Sequence, residues 1–249
     1  MADAAVRAGA HDIIWVAPYI GYGRQDRKIE GHDPISASVA LRLTVEAGVT
    51  QIISVDLHCG QLQAFIPIPF ANLWGRKLIM QRILGMLGIS RDDKEKLSRL
   101  AIVAPDPGSY HVASHYAGKF ACILIGGLKT RPEPNISEIV LVGGEKAKGR
   151  PAIILDEMID TCGTVIEVSE KLDDKEASSI LVGASHAVLS GDAIELIEDS
   201  PIKKVVVTDT IPLERTSPKI EVVTVAGELA TAIQYAATKG IVSGLAKQF

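Results

Sequence analysis

The sequence has 249 residues, of which 47% are hydrophobic and 22% are charged, and its formal net charge at pH 7 is −4. This composition excludes a disordered chain, because it supplies enough apolar side chains to bury a core. The slightly acidic balance provides no broad positive field, which argues against nucleic acid or an anionic membrane surface as a partner. Any anionic substrate must therefore be bound by local groups.

The spacing of the cysteines and the length of the apolar runs indicate the cellular compartment of the protein. The three cysteines are widely spaced and indicate neither a disulfide framework nor a zinc site: Cys59, Cys122 and Cys162. No apolar run reaches the ~20 residues of a membrane span, and residues 1–11 do not have the pattern of a signal peptide. We therefore expect a cytoplasmic protein with no membrane partner.

Short apolar runs recur along the chain and predict buried strands at 13–17, 52–55, 101–104, 122–125, 139–142, 152–155, 180–184 and 204–207. Helical spacing predicts helices at 36–47, 76–86, 165–172 and 229–237. This alternation favours a parallel sheet covered on both faces. The polar segment 90–98 is a predicted linker that divides the chain into domains 1–98 and 99–249. In such sheets ligands bind beyond the carboxyl ends of the strands, so candidate site residues follow the apolar runs.

The segment that follows run 152–155 combines acids with small and hydroxyl-bearing residues. It reads Asp156, Glu157, Met158, Ile159, Asp160, Thr161, Cys162, Gly163 and Thr164, and a predicted helix comes next. A turn of this kind at a helix N-terminus offers backbone N–H groups and side-chain donors to a phosphate. The two preceding acids suit ribose hydroxyls or a magnesium ion. The alternative is an ordinary acidic N-cap, since Asp and Thr are common capping residues.

Two candidate segments lie in the N-terminal part. Residues 24–28 read Arg-Gln-Asp-Arg-Lys, and guanidinium groups in such a loop can stack on a purine and pair with phosphate oxygens. A solvated surface turn is the alternative. Asp56 and His58 alternate around Leu57 at a strand end, so both are expected on one face, where they can meet a metal ion. For them the alternative is a hydrogen-bonded core pair.

Two more candidates lie in the C-terminal part. Residues 126–132 read Gly-Gly-Leu-Lys-Thr-Arg-Pro and predict a mobile turn that carries two cations, Lys129 and Arg131. A closing turn of this kind can bring two cations to an anionic ligand. Solvated loop cations are the alternative. Asp106 follows the predicted strand 101–104, at the edge of the sheet where candidate site residues are expected.

Taken in order, these segments resemble those of the ribose-phosphate pyrophosphokinases. The resemblance spans essentially the whole chain and rests on residues 156–164, 18–28, 33–37, 56–65, 105–106, 186–191 and 208–212. It implies an α/β fold of two type I phosphoribosyltransferase-like parallel-sheet domains, the first incomplete at its N-terminus. Domain 1–98 would carry the ATP loop, and domain 99–249 would carry the ribose 5-phosphate loop, with the final helix packing on the first domain.

The resemblance also implies an activity: transfer of the diphosphoryl group of ATP to ribose 5-phosphate, which yields phosphoribosyl diphosphate and AMP for nucleotide biosynthesis. Lys129 and Arg131 would be catalytic. ATP would be bound by Arg24, Gln25, Asp26 and His58. Ribose 5-phosphate would be bound by Arg131, Asp156, Glu157, Asp160, Thr161, Cys162, Gly163 and Thr164. Mg²⁺ would be the cofactor, with His58, Asp106 and Asp56 as metal-binding residues.

The chain departs from the family pattern at several positions. The family begins with a further segment that helps to hold the nucleotide, so we expect this sequence to be a shortened form. Val112 stands where the family has a cation, and Glu157 replaces an Asp. These changes leave a second hypothesis open, a weak or inactive homologue that serves as a regulatory or structural subunit.

A third hypothesis, a phosphoribosyltransferase, shares the 156–164 segment but leaves the 24–28 loop unexplained. The family resemblance further implies a homo-oligomer, or a hetero-oligomer with full-length paralogues.

Overall fold

The computed structural model describes residues 1–133 and 136–239, and the side chains among them except those of residues 131–133, 136, 137 and 239. In chain order the elements are α1 (Ala2–Arg7), β1 (Ile14–Val16), α2 (Ser36–Glu46), β2 (Gln51–Val55), a 3₁₀ helix (Gly60–Phe65), β3 (Phe70–Leu73), α3 (Arg76–Met86), α4 (Lys94–Ser98), β4 (Ala101–Ala104), α5 (Tyr110–Phe120), β5 (Ile123–Glu133), β6 (Ile136–Val142), a 3₁₀ helix (Gly144–Ala147), β7 (Pro151–Ile159), α6 (Gly163–Asp174), β8 (Ser179–Ala187), α7 (Ala193–Asp199), β9 (Lys204–Thr208), β10 (Ile220–Val223) and α8 (Ala226–Lys239). They form two compact units. Unit 1 holds Met1–Gly75 together with the chain from Thr224, and unit 2 holds Arg76–Val223.

Unit 1 is built on a parallel three-stranded sheet in the order β1-β2-β3. All five residues of β2, the central strand, are buried, which explains why Ile52, Ile53 and Val55 are apolar. Helix α2 buries Ala37 and Leu41 in the same core as Ile52 and Leu62. Helix α8 contacts β1 and β2. The sheet thus presents the carboxyl end of β2, where Asp56 follows, as a candidate site.

Unit 2 contains a seven-stranded sheet in the order β10-β9-β8-β7-β4-β5-β6. Successive residues of its strands enter opposite cores. Ile154 belongs to the core that α6 covers, whereas Ile153 belongs to the core that α3 and α5 cover. A strand buried on both faces must be apolar at every position, which is the pattern that predicted these strands. The doubly covered parallel sheet is therefore confirmed as the architecture of this unit.

The turn predicted for residues 126–132 is wrong. These residues lie in β5, which pairs with β6 in an antiparallel hairpin, with Lys129 opposite Ile139 and Thr130 opposite Glu138. The two adjacent glycines suggested a turn, but the apolar residues of β6 supply a partner strand that keeps the segment extended. The hairpin also makes the large sheet mixed, with one antiparallel pair at its edge.

Two boundaries differ from those predicted. Strand β7 continues to Ile159, four residues beyond the predicted end at Leu155, because Asp156, Met158 and Ile159 still pair with β8. The compact units divide between Gly75 and Arg76, whereas the sequence analysis divided the chain after residue 98. Helix α3 accounts for this difference, since it packs on β8 and β9 of unit 2. Strands β3 and β10 were not predicted, since Asn72 and Glu221 interrupt their short apolar runs.

Candidate active site

Acidic side chains meet at the carboxyl ends of β4 and β7, which are neighbours in the large sheet. Asp156 is partly buried, and its pKa is raised well above the usual range. The causes are desolvation, then a hydrogen bond and charge repulsion from Glu157, then the charge of Asp106. One Asp156 oxygen, Oδ1, accepts a hydrogen bond from the Glu157 backbone N–H at 2.8 Å. Negative charge is therefore concentrated here, and a cation or hydroxyl donors would relieve it.

A short turn holds Asp106 in place. Its Oδ1 accepts hydrogen bonds from the Ser109 backbone N–H at 3.0 Å and from Ser109 Oγ at 3.2 Å. Gly108 lies inside this turn, where a Cβ atom would come within 3.2 Å of Asp106 Oδ1. Ser109 is buried and is a partner that sequence reasoning did not assign. The pattern Asp-x-x-Ser ahead of a helix was the available signal, since it is typical of a side-chain turn.

The segment between β7 and α6, where a phosphate-binding turn is predicted, enters the helix through a left-handed residue. Cys162, the N-cap residue of α6, has a left-handed φ of 64° and makes no capping hydrogen bond with its side chain. Its carbonyl oxygen accepts from Ile166 N at 2.9 Å, as a helix start requires. Gly163 and Thr164 form the first residues of a twelve-residue helix. The acidic N-cap considered from the sequence is absent, so the positive end of α6 is available to a phosphate.

Lys129 lies on the hairpin of unit 2, with an exposed side chain. Neighbouring Thr130 donates from Oγ1 to the Glu138 carbonyl at 3.1 Å, which braces the hairpin at this level. The side chain of Arg131 lies outside the described residues. Ile139, opposite Lys129, is buried in the same core as Val165 of α6. The hairpin therefore packs on α6, the helix that begins at Gly163.

The 24–28 loop is in unit 1. Arg24 and Gln25 are exposed, whereas Asp26 is partly buried and accepts a hydrogen bond from Cys59 Sγ at 3.1 Å. Burial, followed by this bond to Asp26, raises the pKa of the Cys59 thiol to about 11, so it stays protonated as a donor. The Gln25 carbonyl accepts from Ala37 N at 3.2 Å. The loop is thus tied both to the start of α2 and to the segment after β2.

Asp56 and His58 occupy different environments. Asp56 is completely buried and has a φ of 38°, whereas His58 is exposed. Strand β2 ends at Val55, so the alternation from which one shared face was inferred does not extend to these residues. Leu57 N donates to Asn72 Oδ1 at 3.1 Å, which fixes the segment against β3. In this conformation an ion from solvent would reach His58 but not the Asp56 carboxylate.

A buried polar network lies at the ends of β8 and β9. His186 Nδ1 and Thr210 Oγ1 are 2.9 Å apart, and Thr208 Oγ1 donates to the Ser185 carbonyl at 2.6 Å. His186 stands beside Met158 in the strand register, next to the extension of β7 that carries the acids. His186, Thr208 and Thr210 belong to the segments 186–191 and 208–212, and through this network the two segments support the carboxyl edge of the sheet.

The described residues suit a hard cation only in part. Within residues 1–133 and 136–239, no three His, Cys, Asp or Glu side chains are arranged as ligands of one metal ion. The carboxylates of Asp106, Asp156 and Glu157 nevertheless supply the oxygen donors that Mg²⁺ prefers. The repulsion among these carboxylates would decrease when the ion binds. The chemistry of this acidic cluster therefore fits Mg²⁺ with further oxygen ligands from a substrate.

Comparison with known proteins identifies the family. A model of the N-terminal domain of ribose phosphate pyrophosphokinase matches residues 1–48, and a model of the phosphoribosyl synthetase-associated domain matches residues 127–246. The ribose-phosphate pyrophosphokinase of Caldanaerobacter subterraneus subsp. tengcongensis is 41% identical over 235 residues, which cover 94% of this chain and 72% of the relative. The chain belongs to the ribose-phosphate pyrophosphokinase family. The Thermotoga maritima member is 37% identical, with 94% of this chain and 72% of that protein covered.

A solved structure of this family agrees in fold. The crystal structure of phosphoribosylpyrophosphate synthetase from Mycobacterium smegmatis superposes with a TM-score of 0.85 at 31% identity, over 96% of this chain and 76% of that one. The family and the fold class predicted from the sequence are therefore confirmed. No helix in the described part of this pyrophosphokinase-family chain is long and apolar enough to span a bilayer.

Proposed function

We propose that this chain transfers the diphosphoryl group of ATP to the anomeric hydroxyl of ribose 5-phosphate, giving phosphoribosyl diphosphate and AMP. The observation that carries the proposal is the uncapped start of α6 directly beyond the acidic end of β7. The uncapped helix start can bind a phosphate, and the acidic side chains can bind ribose hydroxyls or a metal ion. Membership of the pyrophosphokinase family supports the assignment of ATP as the other substrate.

Ribose 5-phosphate is proposed to bind through its phosphate to the turn of Thr161, Cys162, Gly163 and Thr164. Backbone N–H groups at the start of α6 and the hydroxyls of the two threonines are the donors there. Asp156, Glu157 and Asp160 would accept hydrogen bonds from the ribose hydroxyls. Hydroxyl groups that donate hydrogen bonds reduce the free-energy cost of ionising a buried carboxylate. Sugar binding would therefore lower the raised pKa of Asp156 toward its ordinary value.

ATP is proposed to bind at the 24–28 loop of unit 1. Arg24 would stack on the purine or pair with phosphate oxygens, Gln25 would supply polar contacts, and Asp26 would hold the loop through Cys59. Mg²⁺, when bound, would neutralise phosphate charge and orient the triphosphate. His58 and Asp106 are the proposed metal-binding residues. Asp56 is excluded from that set because its carboxylate is completely buried.

In the reaction, the anomeric oxygen of ribose 5-phosphate forms a bond to the β-phosphorus of ATP. The bond between that phosphorus and the oxygen retained by AMP breaks, and the anomeric hydroxyl loses its proton to water. Negative charge grows on the departing AMP oxygen and on the transferred group. Lys129 would place an ammonium group beside this charge, and Arg131 would add a second cation. We propose that these two residues are catalytic.

The test is an assay of AMP release from ATP, Mg²⁺ and ribose 5-phosphate, with wild-type protein and the Lys129→Ala variant. We expect turnover in the wild type and a loss of at least about a hundredfold in kcat for the variant, since one charge-stabilising donor is removed. The matched control is Lys175→Ala, a cation that the site does not include. Folded wild type that binds ribose 5-phosphate without turnover would instead support the regulatory subunit. In that protein Val112, which packs against the core, would stand in place of a needed cation.

Two broader assignments follow from the family. We propose that the protein acts in the cytoplasm, where its substrates are found, and that it assembles as a homo-oligomer or with paralogous chains. Size-exclusion chromatography with light scattering tests the second assignment. A single 249-residue species at micromolar concentration would refute self-association.

A further inference from the structure

Glu167 connects the hairpin to the helix that begins with the phosphate-binding turn. It lies on α6, four residues after Gly163, and its Oε1 accepts a hydrogen bond from the Ile139 backbone N–H at 2.6 Å. Ile139 is the residue directly opposite Lys129 in the antiparallel pair. One side chain of α6 therefore holds the strand that faces Lys129.

The Ile139 amide needs this acceptor because of its place in the sheet. Strand β6 is last in the strand order, so one of its sides has no neighbouring strand to accept outward-facing N–H groups. A carboxylate is the strongest acceptor that a side chain provides, and the contact is partly buried. Loss of the carboxylate would leave the amide unpaired on the edge strand of the sheet, where local opening is easiest.

A second connection reinforces the first. Lys171, one turn further along α6, lies 3.2 Å from Glu138 Oε1 and 3.9 Å from Glu167 Oε1. Glu138 is opposite Thr130, the residue after Lys129. The ammonium group thus bridges the helix carboxylate and the hairpin carboxylate, while keeping Glu167 turned toward the strand.

We propose that Glu167 is a positioning residue for Lys129, an inference that rests on the proposed function. It fixes β6 against α6 and so sets the distance between the Lys129 ammonium group and the phosphate-binding turn at the start of the same helix. Glu167 touches no substrate in this scheme. Its removal would loosen Lys129 while leaving the turn itself intact, so the chemical step would suffer more than the binding of ribose 5-phosphate.

The experiment compares Glu167→Leu, which removes the acceptor, with Glu167→Gln, which keeps an acceptor oxygen. Both retain a side chain that can pack on the hairpin. The matched control is Glu170→Leu, an exposed glutamate of the same helix. The readouts are hydrogen exchange of the Ile139 amide by NMR, and kcat and KM for ribose 5-phosphate in the AMP-release assay.

We expect Glu167→Leu to accelerate exchange of the Ile139 amide by about tenfold or more, and to lower kcat by roughly ten- to a hundredfold with little change in KM. Glu167→Gln should restore most of both, and Glu170→Leu should match the wild type. Faster exchange with an unchanged kcat would overturn the positioning role, and unchanged exchange would overturn the contact itself. An inactive wild type would refute the proposed function and catalytic positioning with it, whereas the exchange result would still decide whether Glu167 holds the hairpin.

Discussion

Two adjacent glycines of β5 permit a paired test of how closely this strand must approach β4. At Gly127 a Cβ atom would overlap the Pro105 carbonyl, with the carbonyl carbon at 2.8 Å and the Ala104 oxygen at 3.1 Å. All three atoms belong to the backbone just before Asp106, so the strand end itself would have to move. At Gly126 the nearest atoms are those of the Tyr110 ring at 3.6 and 3.7 Å, which is ordinary contact.

Gly127→Ala should therefore destabilise the protein by about 1–3 kcal/mol through overpacking. For a chain of this size that corresponds to a fall in Tm of roughly 2–4 °C per kcal/mol. Gly126→Ala should be neutral or stabilising by up to about 1 kcal/mol, because alanine restricts the unfolded chain and meets no obstacle. The displacement in Gly127→Ala also moves Asp106 and Lys129, so its kcat should fall as well.

The assay is thermal unfolding followed by circular dichroism, with AMP release measured on the same preparations. Both variants carry the same substitution in neighbouring strand positions, so differences in β propensity nearly cancel. Equal Tm values for the two variants would refute the close approach of Gly127 to Pro105. A destabilised Gly127→Ala with full kcat would refute the dependence of the site on that approach.

Two further predictions concern titration. The pKa of Asp156 is raised, so the folded protein keeps this proton to a higher pH than the unfolded chain, and stability falls as pH rises between the two pKa values. Asp156→Asn should therefore have a higher Tm than the ligand-free wild type at pH 7 and a similar Tm near pH 4. The variant should not bind ribose 5-phosphate at either pH. A difference in Tm between variant and wild type that does not change with pH would contradict this prediction. Burial raises the thiol pKa from 9.0 to about 11 at all three cysteines, Cys59, Cys122 and Cys162. Their thiolate fraction at pH 8 should therefore be about a hundredfold below that of a free thiol. Iodoacetamide labelling of the native protein should be correspondingly slow. Rapid labelling of folded protein would contradict the raised thiol pKa values.

Several features could be predicted from the sequence because they depend on local pattern. The buried strands β2, β4, β7 and β9 each contain a short apolar run, and a strand covered on both faces favours that composition. The turn before α6 was also visible, since its small residues and the helix that follows are contiguous. The left-handed backbone conformation of Cys162 could not be predicted, because that conformation is ordinarily adopted by Gly or Asn.

The sequence by itself thus determined the α/β class, the family and the candidate residues, all of which follow from short segments read in order. Only the tertiary structure decided how those residues are held. The partners of the Glu167–Ile139 and Cys59–Asp26 bonds are 28 and 33 residues apart, and the hairpin that contains Lys129 exists because β6 pairs with β5. The raised pKa of Asp156 likewise depends on packing, because it arises first from burial, then from Glu157, and to a smaller extent from the charge of Asp106 beyond the end of β4. Such contacts join segments that are distant along the chain, and their distances and burial are set by packing.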